Sequence, residues 1–463
     1  MQDCFVKTAK NPIVIDVVKG GDYKIWSGEQ SERLQNWIAD TGFLGQKTGI
    51  CLCPSETGQL EKVIFYVPKD GAMTIYDWAR LPELLMPYEN SRIYDLSALK
   101  EPEFKNAVLG WGLQCYRFDR YKSEKSPPFP RLLCARLDLD DVEESLTACI
   151  LVRDLINTPA RDLGPDGLSD AAATLSENHG ADCHVIVGED LLDENYPAIH
   201  VVGAGASRAP RLIDLKWGRA EDPKVTLVGK GVCFDTGGLD LKSAANMKLM
   251  KKDMGGAAHV LGLASMIMSA GLAVNLRVLI PAVENSVSAN AYRPSDVVPS
   301  RKGLNIEISN TDAEGRVVLA DALTAASEDD PELLVDFATL TGAARVALGT
   351  DVPALFCNTP DVADNIVSLS KQVDDALWSL PLWSGYQSQI NSQIADIDNA
   401  PEGGYGGAIT AALFLERFVK KSIDWVHIDV MAWNLKSAPG RPQGGEAMGM
   451  RAVYAYIKDR FDR

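Results

Sequence analysis

From Pro159 to the C-terminus, stretches of strand-type residues alternate with helical stretches at regular intervals, and this alternation constrains the fold more than any other feature. The strands it predicts are His184–Val187, Val225–Val228, Leu276–Ile280, Asn305–Ile308, Leu333–Ala338 and Trp425–Asp429. They imply a mixed sheet covered on both faces, a three-layer α/β domain over residues 159–463. In such sheets ligands gather beyond the carboxyl ends of the strands. Residues 1–135 read as a smaller α/β domain. Its strand-like runs lie near Gly49–Cys53, Val63–Val67 and Ser91–Leu96, and its helical runs near Glu29–Ala39 and Asn106–Tyr121. The stretch Lys122–Pro130, with three prolines, closes it. Residues 136–158 are a linking segment. The acidic run Leu137–Asp141 signals a helix start, apolar residues keep helical spacing to Ile156, and Asn157-Thr158-Pro159 ends the helix.

Charge and cysteine usage narrow the function classes. A formal charge of −17 repels phosphate backbones and anionic membranes, which argues against nucleic-acid and membrane partners. The nine cysteines are scattered, and Cys51-Leu52-Cys53 lacks the second pair a zinc knuckle needs, so reduced thiols in a cytoplasmic protein are expected. No apolar segment follows a basic start at the N-terminus, so no secretory signal is visible. The uncharged stretch Met254–Leu276 is broken by four glycines and several polar residues; it predicts a buried small-residue helix running into the Val274–Ile280 strand rather than a membrane span.

Two segments carry chemistry. After the strand Asn305–Ile308 comes Asn310-Thr311-Asp312-Ala313-Glu314-Gly315-Arg316, then a helical run from Val317 to Ala326. Two carboxylates one residue apart at a strand-to-helix turn can face one cavity, and they need Arg316 or a metal as compensating cation. Alone, the segment reads equally as a capped helix start. The second segment is the strand Lys224–Val228 running into the glycine-rich bend Gly229–Gly238, which holds Lys230 and Asp235; Lys242, Met250 and Asp253 follow. The glycines let backbone approach a ligand closely. Asp235, Asp253, Asp312 and Glu314 are four hard oxygen donors, matching two divalent ions in charge, and a deprotonated Lys could join them. A P-loop is excluded, because Gly229-Lys230 lacks the upstream glycine. Gly203-Ala204-Gly205, between the run Ala198–Val202 and the strand Arg211–Leu215, predicts a hairpin rather than a dinucleotide fingerprint. There is no H-E-x-x-H and no G-x-S-x-G, and His259 and His427 read as core histidines.

From about Arg153 to the C-terminus the chain resembles the leucyl aminopeptidase (cytosol aminopeptidase) family of dinuclear metallo-exopeptidases. The likeness is strongest in Asn310–Val317, with the Gly229–Gly238, Lys242 and Asp253–Gly256 blocks in the family's order; the N-terminal third matches weakly, best at Tyr116–Asp119. The resemblance implies that Asp235 and Glu314 bridge two metals, that Asp312 completes one site, and that Lys230 and Asp253 complete the other. It implies Mn2+ or Zn2+, with Mg2+ a further candidate. Lys242 then faces the substrate carbonyl, and Arg316 holds a bicarbonate general base. Met250, Asn310, Thr339, Leu340 and Gly342 fall near the substrate. A homohexamer cleaving the N-terminal, leucine-like residue from peptides is also implied.

The departures fall outside the implied ligands. Ser243 stands where the family commonly has Pro, and Gly403-Gly404-Tyr405-Gly406-Gly407 lacks a frequent charged residue. Met431-Ala432-Trp433 replaces a usual small-residue run, and Ala447-Met448-Gly449 a common Ala-Thr-Gly. They bear on the side-chain pocket. Two rivals are a dinuclear phosphohydrolase, which calls for several Arg on phosphate oxygens where the site blocks hold only Arg316, and a catalytically silent scaffold, which calls for a broken ligand set.

Overall fold

The computed structural model describes residues 4–43, 47–88, 92–124, 126–135, 139–401 and 403–462. The chain forms two compact units, Met1–Ile150 with Lys436–Gln443 and Leu151–Leu435 with Gly444–Arg463.

The first unit is built on a six-stranded sheet in the order Phe5–Val6, Arg131–Leu133, Ile93–Asp95, Ile13–Lys19, Leu60–Val67, Gly49–Pro54. All its pairings are parallel except that of Gly49–Pro54 with Leu60–Val67. Helix Ile75–Leu85, opened by a Thr74/Asp77 capping box, packs on helix Glu103–Gln114. Three expectations shift. The second helical run ends at Gln114 rather than Tyr121. The first begins at Glu32, where Ser31 caps it, rather than at Glu29. The strand expected over Ser91–Leu96 is Ile93–Asp95, Ser91 lying outside the described residues. The linking helix spans Asp140–Asn157; Leu137 and Asp138 of its expected start also lie outside them.

The second unit holds a nine-stranded mixed sheet. Asp424–Asp429, Leu333–Ala338, Lys224–Gly229 and Asn275–Asn285 run parallel through its centre, and Ala354–Cys357 and Arg211–Trp217 flank them antiparallel. Leu333–Ala338 is buried at every residue, as a strand covered on both faces must be. Two helix groups cover the sheet. Pro165–His179, Gly255–Ser269, Pro360–Gln372 and Met450–Phe461 form one, and Pro197–Gly203, Glu314–Glu328 and Gly407–Glu416 the other. Gly255–Ser269 is buried up to Met268, so the uncharged stretch is a core helix. Among the described residues no helix is long and apolar enough to cross a membrane.

Three details differ from the sequence reading. Asn305–Glu307 belongs to a separate three-stranded sheet with Val297–Pro299 and Ile397–Asp398, not to the main sheet. Ala198–Val202 lies within the helix Pro197–Gly203, so no hairpin forms there; its apolar residues pack on helix Glu314–Glu328, and tertiary packing overrides the strand-like composition. Gly229–Gly238 is only partly a bend, because Gly231–Asp235 is a strand paired parallel to Asn275–Asn285.

Candidate active site

The central parallel strands end at one place. Lys224–Gly229 ends at Lys230, Leu333–Ala338 at Thr339, and Asp424–Asp429 on its own last carboxylate. Lys230 N donates to Phe337 O at 3.0 Å, and Ala257 N donates to Lys230 O at 2.9 Å, so the start of helix Gly255–Ser269 is laced to the strand ends. The approach is close because position 256 is glycine: a Cβ there would stand 2.0 Å from Phe337 O. The short turn Met250–Met254 ahead of that helix presents Asp253 to Lys230. From the other helix layer, the turn Thr311–Ala313 and the first residues of Glu314–Glu328 bring Asp312, Glu314 and Arg316 to the same space.

The charges interlock. Lys230 Nζ lies 2.7 Å from Asp253 Oδ2, 2.9 Å from Glu314 Oε1 and 3.2 Å from Thr339 O. Lys242 Nζ lies 2.8 Å from Asp235 Oδ2 and pairs with Asp312 Oδ1. Asp235 Oδ1 accepts from Gly237 N and from Asn285 Nδ2, both at 2.8 Å. Thr339 Oγ1 donates to Asp253 Oδ1 at 2.7 Å. Ligand oxygens of Asp235, Asp312 and Glu314 all fall within 4.8 Å of one another, the one acidic group of that kind among the described residues.

Burial sets the protonation chemistry. It raises Asp235 to about 6, helped by Asp253, and Glu314 to about 8, helped by Asp235. Burial opposes the charge of Lys230, but Asp253 and Glu314 outweigh it and hold the ammonium above its ordinary range. Lys242 is held up in the same way, chiefly by Asp235. For Asp253 burial is outweighed by Lys230, and its carboxyl is pulled down. Burial lowers Arg316 to about 10.

Four carboxyl groups therefore face two ammonium groups in a space where Asp235, Asp253 and Glu314 are almost wholly buried, and Glu314, raised to about 8, holds a proton there near neutral pH where a further cation would let it ionise. A buried charge excess is costly unless a further cation offsets it. Glu314 Oε2 is buried and accepts no hydrogen bond. An oxygen-rich, negatively charged cluster with a buried vacant acceptor fits divalent cations.

The comparisons with known proteins bear directly on this cluster. The model of the cytosol aminopeptidase family, catalytic domain, matches residues 150–454, and that of the M17 aminopeptidase N-terminal domain matches 13–135. The chain belongs to the cytosol aminopeptidase family. It is a peptidase, a hydrolase, of two-domain α/β architecture. A probable cytosol aminopeptidase of Syntrophotalea carbinolica is 43% identical over 365 residues, 75% of this chain and 73% of that protein. One from Aquifex aeolicus is 40% identical over 364 residues, 76% and 73% of the two chains. The crystal structure of a cytosol aminopeptidase from Coxiella burnetii superposes with a TM-score of 0.95 at 45% identity, covering 99% of this chain and 100% of that one. The bottromycin maturation enzyme BotP in complex with Mn gives 0.87 at 30%, covering 97% and 100%.

In this family member the cluster opens onto a cavity of about 240 Å³, whose wall includes Asn310, Asp312, Arg316, Leu340 and Gly342. Thr339 sits behind that wall on Asp253. Met250, half-buried on the turn before Asp253, is not on this wall. Arg316 donates from one Nη to Asn399 O at 2.5 Å and keeps a buried Nε without a partner. His259 is a satisfied core residue, Nδ1 on Gly255 O at 2.6 Å and Nε2 accepting from Met448 N at 2.9 Å.

Several supporting residues escape a reading of the sequence alone. Asn285 binds Asp235 and also Thr311 O, at 3.0 Å; Asp240 Oδ2 accepts from Thr311 N at 2.8 Å; and Tyr292 OH donates to Thr311 O at 2.7 Å. Asp429 accepts from Leu340 N at 3.0 Å, Thr341 N at 3.2 Å and Thr341 Oγ1 at 2.6 Å, fixing the Thr339–Gly342 loop. The available signal was a polar residue at the carboxyl end of a buried parallel strand, which Asn285 and Asp429 share.

Proposed function

We propose that this peptidase is a two-metal aminopeptidase that releases the N-terminal residue, with a leucine-like preference, from peptides. The observation that carries the reading is the convergence of Asp235, Asp312 and Glu314 with an unbonded buried oxygen on Glu314. In it, Asp235, Glu314, Asp312, Asp253 and Lys230 would hold two divalent ions, with Asp235 and Glu314 shared between them, Asp312 serving one and Lys230 and Asp253 the other. Mn2+ is favoured by the Mn complex of BotP, a structural relative; Zn2+ and Mg2+ are the other candidates. Bound divalent ions would supply Lewis acidity and a water of lowered pKa. For Lys230 to serve as a ligand its ammonium would have to give up the proton that Asp253 and Glu314 now hold on it, a change that nearby divalent charge would favour.

The chain's own residues do the rest. Lys242, 2.8 Å from Asp235, would stabilise with its ammonium the negative charge that develops on the substrate carbonyl oxygen. Arg316, which lines the cavity, would seat a bicarbonate that takes the proton of the attacking water. Asn310, Leu340 and Gly342 line the path of the peptide, with Thr339 and Met250 at its border. The working division is an N-terminal domain over 1–135, a link over 136–158 and a catalytic domain over 159–463. Hexameric assembly and a cytoplasmic location complete the reading, in accord with cysteines that are scattered along the chain rather than set in a disulfide framework.

Leucyl- and methionyl-anilides assayed with and without Mn2+ or Zn2+ test the proposal. Metal-dependent release of the anilide is expected, and none from any such substrate would sink it. Arg316→Ala should turn over slowly whether or not bicarbonate is added. Unchanged turnover would remove Arg316 as the seat of the base.

A further inference from the structure

Asn399 is fully buried and follows the strand Ile397–Asp398, which runs parallel to Asn305–Glu307 in the small sheet. Its backbone N donates to Glu307 O at 3.0 Å, and there the strand pairing stops. Beyond that point the side chain takes over. Asn399 Oδ1 accepts from Ser309 N at 2.9 Å and Asn310 N at 3.2 Å, while Nδ2 donates to Asn310 O at 2.8 Å and, more weakly, to Ala313 O at 3.5 Å. The backbone carbonyl of the same residue takes the hydrogen bond from Arg316. A primary amide offers two donors and two acceptor lone pairs, and all four face the segment that carries Asp312, Glu314 and Arg316. The opposite side of that segment is held at Thr311 by Asp240, Asn285 and Tyr292. The loop is thus clamped between two sets of polar partners rather than by packing alone.

We propose that Asn399 is a positioning residue for the metal centre: one buried amide fixes Asp312, Glu314 and Arg316 as a unit and so sets affinity for the divalent ions. The inference rests on the two-metal reading above. No charged side chain can replace it. Asp at this position would set an acceptor against Asn310 O, 2.8 Å away, and add a negative charge beside an already acidic cluster. Outer-shell partners of metal ligands typically govern affinity by about 10–100-fold.

The test titrates full-length, metal-free protein with Mn2+, following the free ion by electron paramagnetic resonance, with thermal unfolding of the metal-free form in parallel. Wild type is compared with Asn399→Asp, with Asn399→Ser should the charged variant fail to fold, and with Asp398→Ala. Asp398 neighbours Asn399 on the same segment but bonds Ser309 Oγ and Ala400 N instead of residues 310–316. The expected result is Mn2+ affinity weakened about 10–100-fold by either Asn399 change, with a metal-free Asn399→Ser melt within a few degrees of wild type, and affinity within about twofold of wild type for Asp398→Ala. Wild-type affinity in the Asn399 variants, or equal weakening by Asp398→Ala, would overturn the inference while leaving the two-metal reading intact. A wild-type protein that binds no Mn2+ would remove both.

Discussion

Gly315 separates Glu314 from Arg316 at the start of a buried helix, and its hydrogen faces the lysine that ties the acidic cluster together. A Cβ at this position would stand 2.4 Å from Lys230 Cε, 2.7 Å from Nζ and 2.9 Å from Cδ. Ordinary carbon contacts begin near ~3.5 Å, so in Gly315→Ala the lysine must withdraw by about 1 Å. That retreat carries its present contacts of 2.7 Å to Asp253 and 2.9 Å to Glu314 past the ~3.5 Å at which such hydrogen bonds fail. Stability and activity should respond differently. Alanine is the better helix former by about 1 kcal/mol, and overpacking costs about 1–3 kcal/mol, so the net loss of stability is about 0–2 kcal/mol. A misplacement of ~1 Å in a catalytic constellation, by contrast, can lower turnover ~100-fold. The assay is leucyl-anilide hydrolysis at saturating Mn2+, paired with denaturant unfolding of the same preparations. A Gly315→Ala protein with wild-type kcat/KM and wild-type Mn2+ affinity would show that Lys230 is not part of the centre.

Other perturbations separate the site from its scaffold. His259 is buried and pushed down to about 4, mainly by burial, so at neutral pH it is uncharged in folded and unfolded chains alike. As pH falls below its unfolded value of ~6.5 the unfolded state takes up the proton and the native state does not. Between pH 7.5 and 5 this residue should therefore cost about 2 kcal/mol of stability, a slope that His259→Gln abolishes in denaturant titrations at the two pH values. Asp336, also buried, accepts from Trp425 Nε1 at 2.8 Å and pairs with His427 Nδ1 at 2.5 Å. Asp336→Ala strands both partners and should destabilise the protein by about 3–5 kcal/mol in urea unfolding. Chelation should abolish hydrolysis without unfolding the chain, because Lys230 and Lys242 remain to pair with the four carboxylates. Restoring Mn2+ at ~100 times its dissociation constant should add about 2.7 kcal/mol of stability for each ion bound, read as a rise in Tm.

What the sequence made legible follows from where the chain is buried. Leu333–Ala338 could be read to the residue because a central parallel strand covered on both faces is almost wholly apolar, here interrupted only by the buried Asp336. The Asn310–Arg316 turn was legible because its charges sit between a strand and a long apolar helix. The N-terminal unit was harder. Ile13–Lys19, central in its sheet, contains Asp16, whose carboxylate is matched across the ladder by Lys62 at 2.8 Å. Helix Ile75–Leu85 hides behind Pro82, although its capping box is written in Thr74 and Asp77. In the catalytic unit, Lys230 and Asp253 were joined as a pair only by the family resemblance and by no local pattern, since the contact depends on Gly256 letting a helix lie against Phe337 O. Asn285, Asn399 and Asp429 act through partners 26 to 90 positions away, a relation that no local pattern encodes.

The central claim is that Lys230, Asp235, Asp253, Asp312 and Glu314 form one dinuclear centre. The most direct measurement is X-ray diffraction from crystals grown with Mn2+, collected at and below the manganese edge. Two anomalous peaks are predicted, about 3.5–4 Å apart, both touching Asp235 and Glu314, one also touching Asp312 and the other Lys230 and Asp253. Peaks elsewhere on the surface, with the ammonium groups of Lys230 and Lys242 still locked between the carboxylates at saturating Mn2+, would contradict it.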